Sequence, residues 1–275
     1  MIAALRGIGR TVAVLCFLVS WGIGSALLWP LAAASGRQEG WRKSVLRGGC
    51  RGVLWLLNVR VTVDGAPPAG TGILVTNHLS YVDILVLGSF LEVVFVSRDD
   101  VRNWPVIGPF ARVTGTVFID RDRKSALPAV VESMHAWNAQ GVSIVFFPEG
   151  TSGRGDVVMP FRSSLFESAV RAEAVVHAAA LHYATAPGDD APETAVCWWG
   201  DTDFLPHAWR LVRLRRVDAR VTFSDAEIVP VDRKQAAREA HAAVERVFRP
   251  SSNGDDATSG PEPARGPEEN AVQAD

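Results

Sequence analysis

Nineteen consecutive positions, Thr11 to Trp29 (TVAVLCFLVSWGIGSALLW), carry no charged side chain. At the rise of an α-helix this run covers about 28 Å, close to the hydrocarbon thickness of a bilayer. Arg6 and Arg10 precede it, which favours a cytoplasmic N-terminus if the run spans. Trp21, Trp29 and Trp41 suit headgroup depth. Three readings compete: a membrane anchor, a cleaved signal peptide ending near Ala32-Ala33-Ala34, and a buried core helix. The run is longer than an ordinary signal-peptide core, which favours the anchor. Arg42 to Leu57 mixes basic and apolar residues, and reads either as a second, interfacial helix or as an ordinary amphipathic surface helix.

From Val61 onward strand-like and helix-like segments alternate. Gly72–Thr76, Gly115–Ile119, Val142–Phe147, Ala174–Leu181 and Arg220–Ile228 read as strands. Between them Tyr81–Leu91, Ser125–Ala139, Phe161–Ala172 and Arg233–Phe248 read as helices, and residues 99–112 as a helix interrupted at Pro105 and Pro109. Such alternation predicts an α/β fold with a mostly parallel central sheet flanked by helices. After Pro250 the chain is rich in Gly, Pro, Ser and acids and poor in large apolar residues, which predicts disorder. The expected organisation is therefore an anchor and interfacial helix over 1–60, one folded domain over 61–250, and an acidic tail over 251–275. The net charge of -2 conceals a body of about +3 over residues 1–250, because that tail holds six acids and one base. A mildly basic body suits anionic headgroups or phosphorylated ligands. Three widely spaced cysteines, Cys16, Cys50 and Cys197, offer neither a disulfide framework nor a CxxC metal site, and fit a reducing cytosolic setting.

Three short blocks carry chemistry. In the first, Asn77-His78-Leu79-Ser80-Tyr81-Val82-Asp83, a strand delivers His78 to its C-terminal end, where ligand sites of α/β sheets lie. Asp83 falls in the first turn of the next helix, so its carboxylate can turn back to the imidazole. Neutral imidazole accepts a hydroxyl proton near neutral pH, and a carboxylate beside it fixes the tautomer. Ser80 also reads as a simple N-cap. The second block, Gly115 to Arg121 (GTVFIDR), ends a strand in Asp120-Arg121, and Arg121 can clamp a phosphate or carboxylate. The third, Phe147 to Gly153 (FPEGTSG), is a tight loop whose amides can face an anion, and whose Glu149 can hold an acceptor hydroxyl or a loop amide. His135, His182, His207 and His241 have no partners at metal-ligand spacing, and no HExxH or EF-hand pattern occurs.

Together the blocks resemble the glycerolipid acyltransferase family typified by bacterial 1-acyl-glycerol-3-phosphate acyltransferases. Its NHxSxxD pattern is met by Asn77, His78, Ser80 and Asp83, its G-x-x-F-I-x-R pattern by Gly115, Phe118, Ile119 and Arg121, and its F-P-E-G-T pattern by Phe147 through Thr151. The resemblance implies direct acyl transfer from acyl-CoA or acyl carrier protein, as co-substrate, to the hydroxyl of a lysolipid. His78 and Asp83 would be catalytic. Asn77, Ser80, Arg121, Glu149, Gly150 and Thr151 would hold the substrate. It implies no cofactor, no metal and no nucleic-acid partner, and a place on the cytoplasmic face of the cell inner membrane. Lysophosphatidic acid is the first expected acceptor. Two departures bear on it. Many members acylating that lipid carry Arg directly after F-P-E-G-T, where this chain has Ser152, with Arg154 and Arg162 further on. A fourth block that usually contains Pro has His177 instead. The segments Met159–Glu167 and Trp198–Trp209 resemble a branch that includes lyso-ornithine lipid acyltransferases. The rivals from other classes are a lipid-binding protein that kept the fold without catalysis, and a secreted esterase.

Overall fold

The computed structural model describes residues 1–104, 107–120 and 127–253; Arg121 and the expected tail beyond Asn253 lie outside the described residues. The chain opens with two helices, α1 (Ile2–Ala34) and α2 (Gln38–Leu57). Asn58 closes α2 in the left-handed conformation and turns the chain into β1 (Val59–Asp64). Next come β2 (Ile73–Thr76), α3 (Val82–Gly88), β3 (Val93–Arg98), α4 (Ile107–Val113), β4 (Val117–Ile119), α5 (Leu127–Ala139) and β5 (Ser143–Phe146). The second half contains α6 (Glu167–Ala172), β6 (Val176–Thr185), α7 (Pro192–Ala195), α8 (Phe204–Arg213), β7 (Val217–Ile228), α9 (Arg233–Val247) and the short β8 (Ser252–Asn253).

The strands form one sheet in the order β1-β7-β6-β2-β5-β3-β4, with β8 beside the far end of β6. Every pair is parallel except β6 with β7. The expected α/β architecture with a mostly parallel sheet is thus present. β1 and β3 are strands that the sequence reading does not assign, although both are valine-rich. Pro109 does not interrupt a helix: it lies in the first turn of α4, where the missing amide hydrogen breaks no helical bond. The helix expected over Phe161–Ala172 begins only at Glu167, after a 3₁₀ turn over Ser163–Phe166, because the Arg162 amide is drawn to the Pro148 carbonyl instead.

The central strands are buried on both faces, so they read as continuous apolar runs rather than as alternations. Their two faces feed two cores. Leu74, Phe95, Val145, Leu181 and Tyr183 face α2, α3 and α8, whereas Ile73, Val75, Val94, Ile144 and Phe146 face α5, α6 and α9. The second core admits α9 closely because that helix presents Ala236, Ala237, Ala240 and Ala243.

α2 is no free interfacial helix, since its Leu46, Cys50, Val53, Leu54 and Leu57 belong to the first core. α1 lies along the outside of the domain. Trp21 and Phe17 press onto Gly48 and Gly52 of α2, where an added Cβ would collide with their rings, and Gly49 between them also admits Phe110 of α4. Trp21 Nε1 donates to the Val45 carbonyl at 3.2 Å. The guanidiniums of Arg6 and Arg10 donate to the carbonyls of Arg213 and Leu214, at the end of α8. Those two arginines therefore cap a helix C-terminus, where positive charge is favourable. The reading of residues 11–29 as a buried core helix is excluded, because the apolar stretch of α1 stays outside the protein interior.

Phe146 is fully buried and packs on Phe166 of the 3₁₀ turn, so Phe146→Ala should cost about 3–5 kcal/mol. Trp55→Ala, at a ring 79% exposed, should change stability by less than about 0.5 kcal/mol. Urea denaturation of the detergent-solubilised chain, comparing midpoints at equal slope, measures both.

Candidate active site

Thr76 is the last residue of β2, yet the strand is continued by a side chain. Asn77 Nδ2 donates to the Leu181 carbonyl at 3.0 Å, and the Leu181 amide donates back to Asn77 Oδ1 at 2.7 Å. The amide group thus takes the place of one more residue in the β2–β6 ladder, and the backbone is released to turn immediately after it. His78 stands at that turn.

Every backbone polar group of residues 78–80 has a partner. The His78 amide donates to Glu149 Oε2 at 2.8 Å, and its carbonyl accepts from the Gly153 amide at 2.7 Å. The Leu79 amide donates to Asp83 Oδ2 at 2.7 Å, and its carbonyl accepts from the Trp198 amide at 2.8 Å. The Ser80 amide donates to Asp83 Oδ2 at 3.0 Å, and its carbonyl accepts from the Asp83 amide at 3.1 Å. A turn held at six points leaves its one projecting ring little freedom.

Asp83 is fully buried and accepts from four donors. Besides the two amides, Oδ2 meets His78 Nδ1 at 2.7 Å, and Oδ1 accepts from the Tyr183 hydroxyl at 2.7 Å. Complete burial, with the neighbouring Asp83 charge adding to it, holds the Tyr183 phenol well above its usual range, so it remains a donor. An acceptor at Nδ1 fixes the imidazole proton there and leaves the lone pair on Nε2. The His78 side chain is 21% exposed and lies flat on Phe147, ring centroids 4.1 Å apart. The ring therefore offers a basic nitrogen at the carboxyl end of β2, beside the end of β5.

Glu149, four residues short of Gly153, is buried and uses both oxygens on backbone amides, His78 through Oε2 and Met159 through Oε1 at 2.9 Å. Burial raises its carboxyl from 4.5 to about 8, against the opposing pull of those two amides. Gly150 follows with φ 77°, and an added Cβ would sit 2.8 Å from Arg162 Nε, so both conformation and space demand glycine. Thr151 is exposed on the same loop. The Ser152 hydroxyl donates to the Trp198 carbonyl. Trp198 begins an aromatic wall with Tyr81, Trp104 and Phe204, and next to it Arg154 lies 5.5 Å over the Trp199 ring.

The structure thus brings His78, Asp83, Glu149, Gly150 and Thr151 together at the ends of two adjacent parallel strands. Asn77 is fully buried with its side-chain amide occupied by β6, so it shapes the turn instead of meeting substrate. Ser80 is fully buried too, and its hydroxyl has no hydrogen-bond partner among the described residues. Of the two roles expected for Glu149, the structure shows the loop amides, held through both oxygens. The second block ends at β4, two strands from β5 across β3. Tyr183 is the site residue that sequence reasoning misses, since it lies in a strand with no motif around it, whereas Phe147 and Trp198 fall in segments already singled out.

Residues 58–182 match the profile of the family described as Acyltransferase. A lyso-ornithine lipid O-acyltransferase of Rhodobacter capsulatus is 32% identical over 222 residues, covering 76% of this chain and 77% of that one. The chain belongs to the acyltransferase family. A 1-acyl-sn-glycerol-3-phosphate acyltransferase of Neisseria meningitidis serogroup B is also 32% identical, over 63% of this chain and 68% of its own. The crystal structure of the 1-acyl-sn-glycerophosphate acyltransferase of Thermotoga maritima superposes with a TM-score of 0.63 at 18% identity, covering 88% of this chain and 95% of that one, which shows a shared fold. His78 and Asp83, 2.7 Å apart, lie inside the segment that matches the family.

Two outcomes follow for this acyltransferase. Tyr183→Phe leaves a buried carboxylate oxygen without its donor, which should cost about 1–3 kcal/mol of stability. It should lower kcat several-fold with KM nearly unchanged, as measured by steady-state kinetics. Between pH 4.5 and about 8 the folded protein keeps a Glu149 proton that the unfolded chain has released, so stability falls as pH rises through that window. Glu149→Gln should flatten that slope, as read from urea midpoints at pH 5.5 and 8.

Proposed function

We propose that this acyltransferase esterifies the free hydroxyl of a lysolipid, with His78 as general base and a thioester, acyl-CoA or acyl carrier protein, as donor. The observation that carries the reading is the pair His78 Nδ1 and Asp83 Oδ2 at 2.7 Å, with the carboxylate buried and the ring partly exposed. Nε2 takes the proton of the acceptor hydroxyl as its oxygen bonds to the thioester carbon. Asp83 steadies the imidazolium that forms. When the tetrahedral centre collapses the C–S bond breaks, and the departing thiolate takes the proton back from Nε2. The ester and the free thiol account for every atom, and no acyl-enzyme is required. General-base catalysis supplies roughly 10²–10⁴-fold. The fixed turn adds orientation, since its six backbone bonds are made before substrate arrives.

We assign the contact with an anionic acceptor head to Thr151, exposed on the loop, and to Arg162, whose side chain lies beside Gly150. Of the two expected acceptors, a phosphorus-free lyso-ornithine lipid is favoured. Lyso-ornithine lipid O-acyltransferases of Rhodobacter capsulatus and Pseudomonas aeruginosa match 76% and 68% of the chain. Ser152 stands where an arginine would suit a phosphate, and its hydroxyl is engaged by Trp198. 1-Acyl-sn-glycerol-3-phosphate is the second reading, supported by the Neisseria meningitidis relative.

The outward side chains of α1 (Leu5, Ile8, Val12, Val19, Ile23 and Leu27) are all exposed and apolar, and we place them in the bilayer that holds acceptor and product. Because its inner side packs on α2 and α8, α1 rests along the domain instead of leaving it as a free span. Thioester donors are cytosolic, which puts the site on the cytoplasmic face of the inner membrane. His78→Ala should reduce turnover by roughly 10²–10⁴-fold while lysolipid binding survives. Labelled acyl donor, membranes and a panel of lysolipids with and without phosphate test both statements. Turnover unaffected by His78→Ala defeats the mechanism, and preference for 1-acyl-sn-glycerol-3-phosphate reverses the order of acceptors.

A further inference from the structure

α8 presents two unlike faces. Its inner face holds His207, fully buried, whose Nε2 donates to the Cys197 carbonyl at 3.1 Å and whose Nδ1 accepts from the Tyr81 hydroxyl at 3.1 Å. Burial keeps that imidazole neutral, lowering it to about 4, so one nitrogen stays a donor and the other an acceptor. Phe204, at the start of the helix, packs on Tyr81 with centroids 5.2 Å apart. Tyr81 directly follows Ser80, whose amide is held by Asp83. The inner face is therefore joined to the catalytic turn through one residue.

The outer face carries two large apolar side chains. Leu205 is 76% exposed and Trp209, one turn on, is 38% exposed. Trp209 also lies against Gly7 of α1, where an added Cβ would come within 3.0 Å of the ring. Leu5 and Ile8, on either side of that contact, belong to the exposed apolar stripe of α1. Arg210 and Arg213 are exposed at the following turn of α8. Leucine and tryptophan facing out, with arginines beside them, is the composition of an interfacial helix. A lone exposed leucine needs no explanation. This one continues a stripe already assigned to lipid, on a helix fastened to the catalytic turn.

From this arrangement we infer that α8 is a second lipid-contacting element, whose Leu205 and Trp209 enter the bilayer interface and set the mouth of the active site, beside Trp198 and Trp199, against the membrane surface. The inference rests on the placement of α1 in the bilayer. A lysolipid then passes from leaflet to His78 without crossing water, and α8 fixes the orientation in which it arrives.

The test uses the full chain with Cys16→Ser, since Cys50 and Cys197 are buried. A polarity-sensitive fluorophore is attached at Leu205→Cys, and in a second protein at Val231→Cys, an exposed site between β7 and α9. Both are reconstituted in vesicles of phosphatidylcholine and phosphatidylglycerol with brominated acyl chains. The label at 205 should be quenched by bromine and shielded from aqueous iodide, and the label at 231 the reverse. Iodide quenching at 205 equal to that at 231 overturns the proposal. So does a label shielded from both quenchers in a chain that runs as a dimer, which would mean a second copy covers the face. In a parallel assay, Leu205→Asp should lower kcat/KM about tenfold for acceptor presented in vesicles and leave it unchanged for acceptor dispersed in detergent, and Leu205→Trp should keep both. An equal loss in both assays, or in neither, overturns the proposal. Absence of turnover by the unaltered chain in detergent would instead strike the proposed activity, leaving the quenching result to stand by itself.

Discussion

One carboxylate oxygen organises the site. Asp83 Oδ2 accepts from the His78 ring and from the amides of Leu79 and Ser80, so a single buried atom sets both the direction of that ring and the shape of the turn that carries it. Burying such a group is costly unless its hydrogen bonds are complete. Tyr183 completes them at Oδ1 from near the carboxyl end of β6. The energetic consequence is that the His78 ring cannot be repositioned without unpairing buried donors, each of which resists by about 1–3 kcal/mol.

The parallel sheet explains why these groups meet. β2 and β5 are neighbours running the same way, so the residues just beyond their ends, His78 and Glu149, arrive at one edge of the sheet. Glu149 then ties the two ends together by accepting the His78 amide. β6, on the other side of β2, supplies Leu181 to continue the strand and Tyr183 to brace the acid. The site is therefore a property of three adjacent strands. No single loop contains it.

The first two helices and α8 attach this edge to what lies outside. α1 touches α2 through glycines that let aromatic rings sit close, and touches α8 through arginines that cap it. α8 in turn reaches the catalytic turn through His207 and Tyr81. A chain of packed and hydrogen-bonded contacts thus runs from the apolar outer face to His78, and the placement of that face and the geometry of the site depend on the same few helices.

Several features could be read from residue order alone, because they depend on neighbours in the chain. The uncharged run makes α1, the apolar clusters make β2 and β5, and the spacing of His78 and Asp83 lets one turn join them. Residue order alone does not assign Asn77, which reads as a substrate contact yet pairs with β6, for a physical reason. A polar side chain in a motif can face a ligand or satisfy the backbone, and only its burial tells which. β1 and β3 carried valine-rich patterns, but their membership in the sheet depends on partners at Val217 and Ser143, far along the chain. Local sequence determined most of the elements and the nearness of His78 to Asp83. Tertiary structure alone decided that Tyr183 braces Asp83, that Leu181 extends β2 and that Trp198 holds Leu79, because hydrogen bonds between residues about a hundred positions apart depend on strand order and register, which no local pattern encodes.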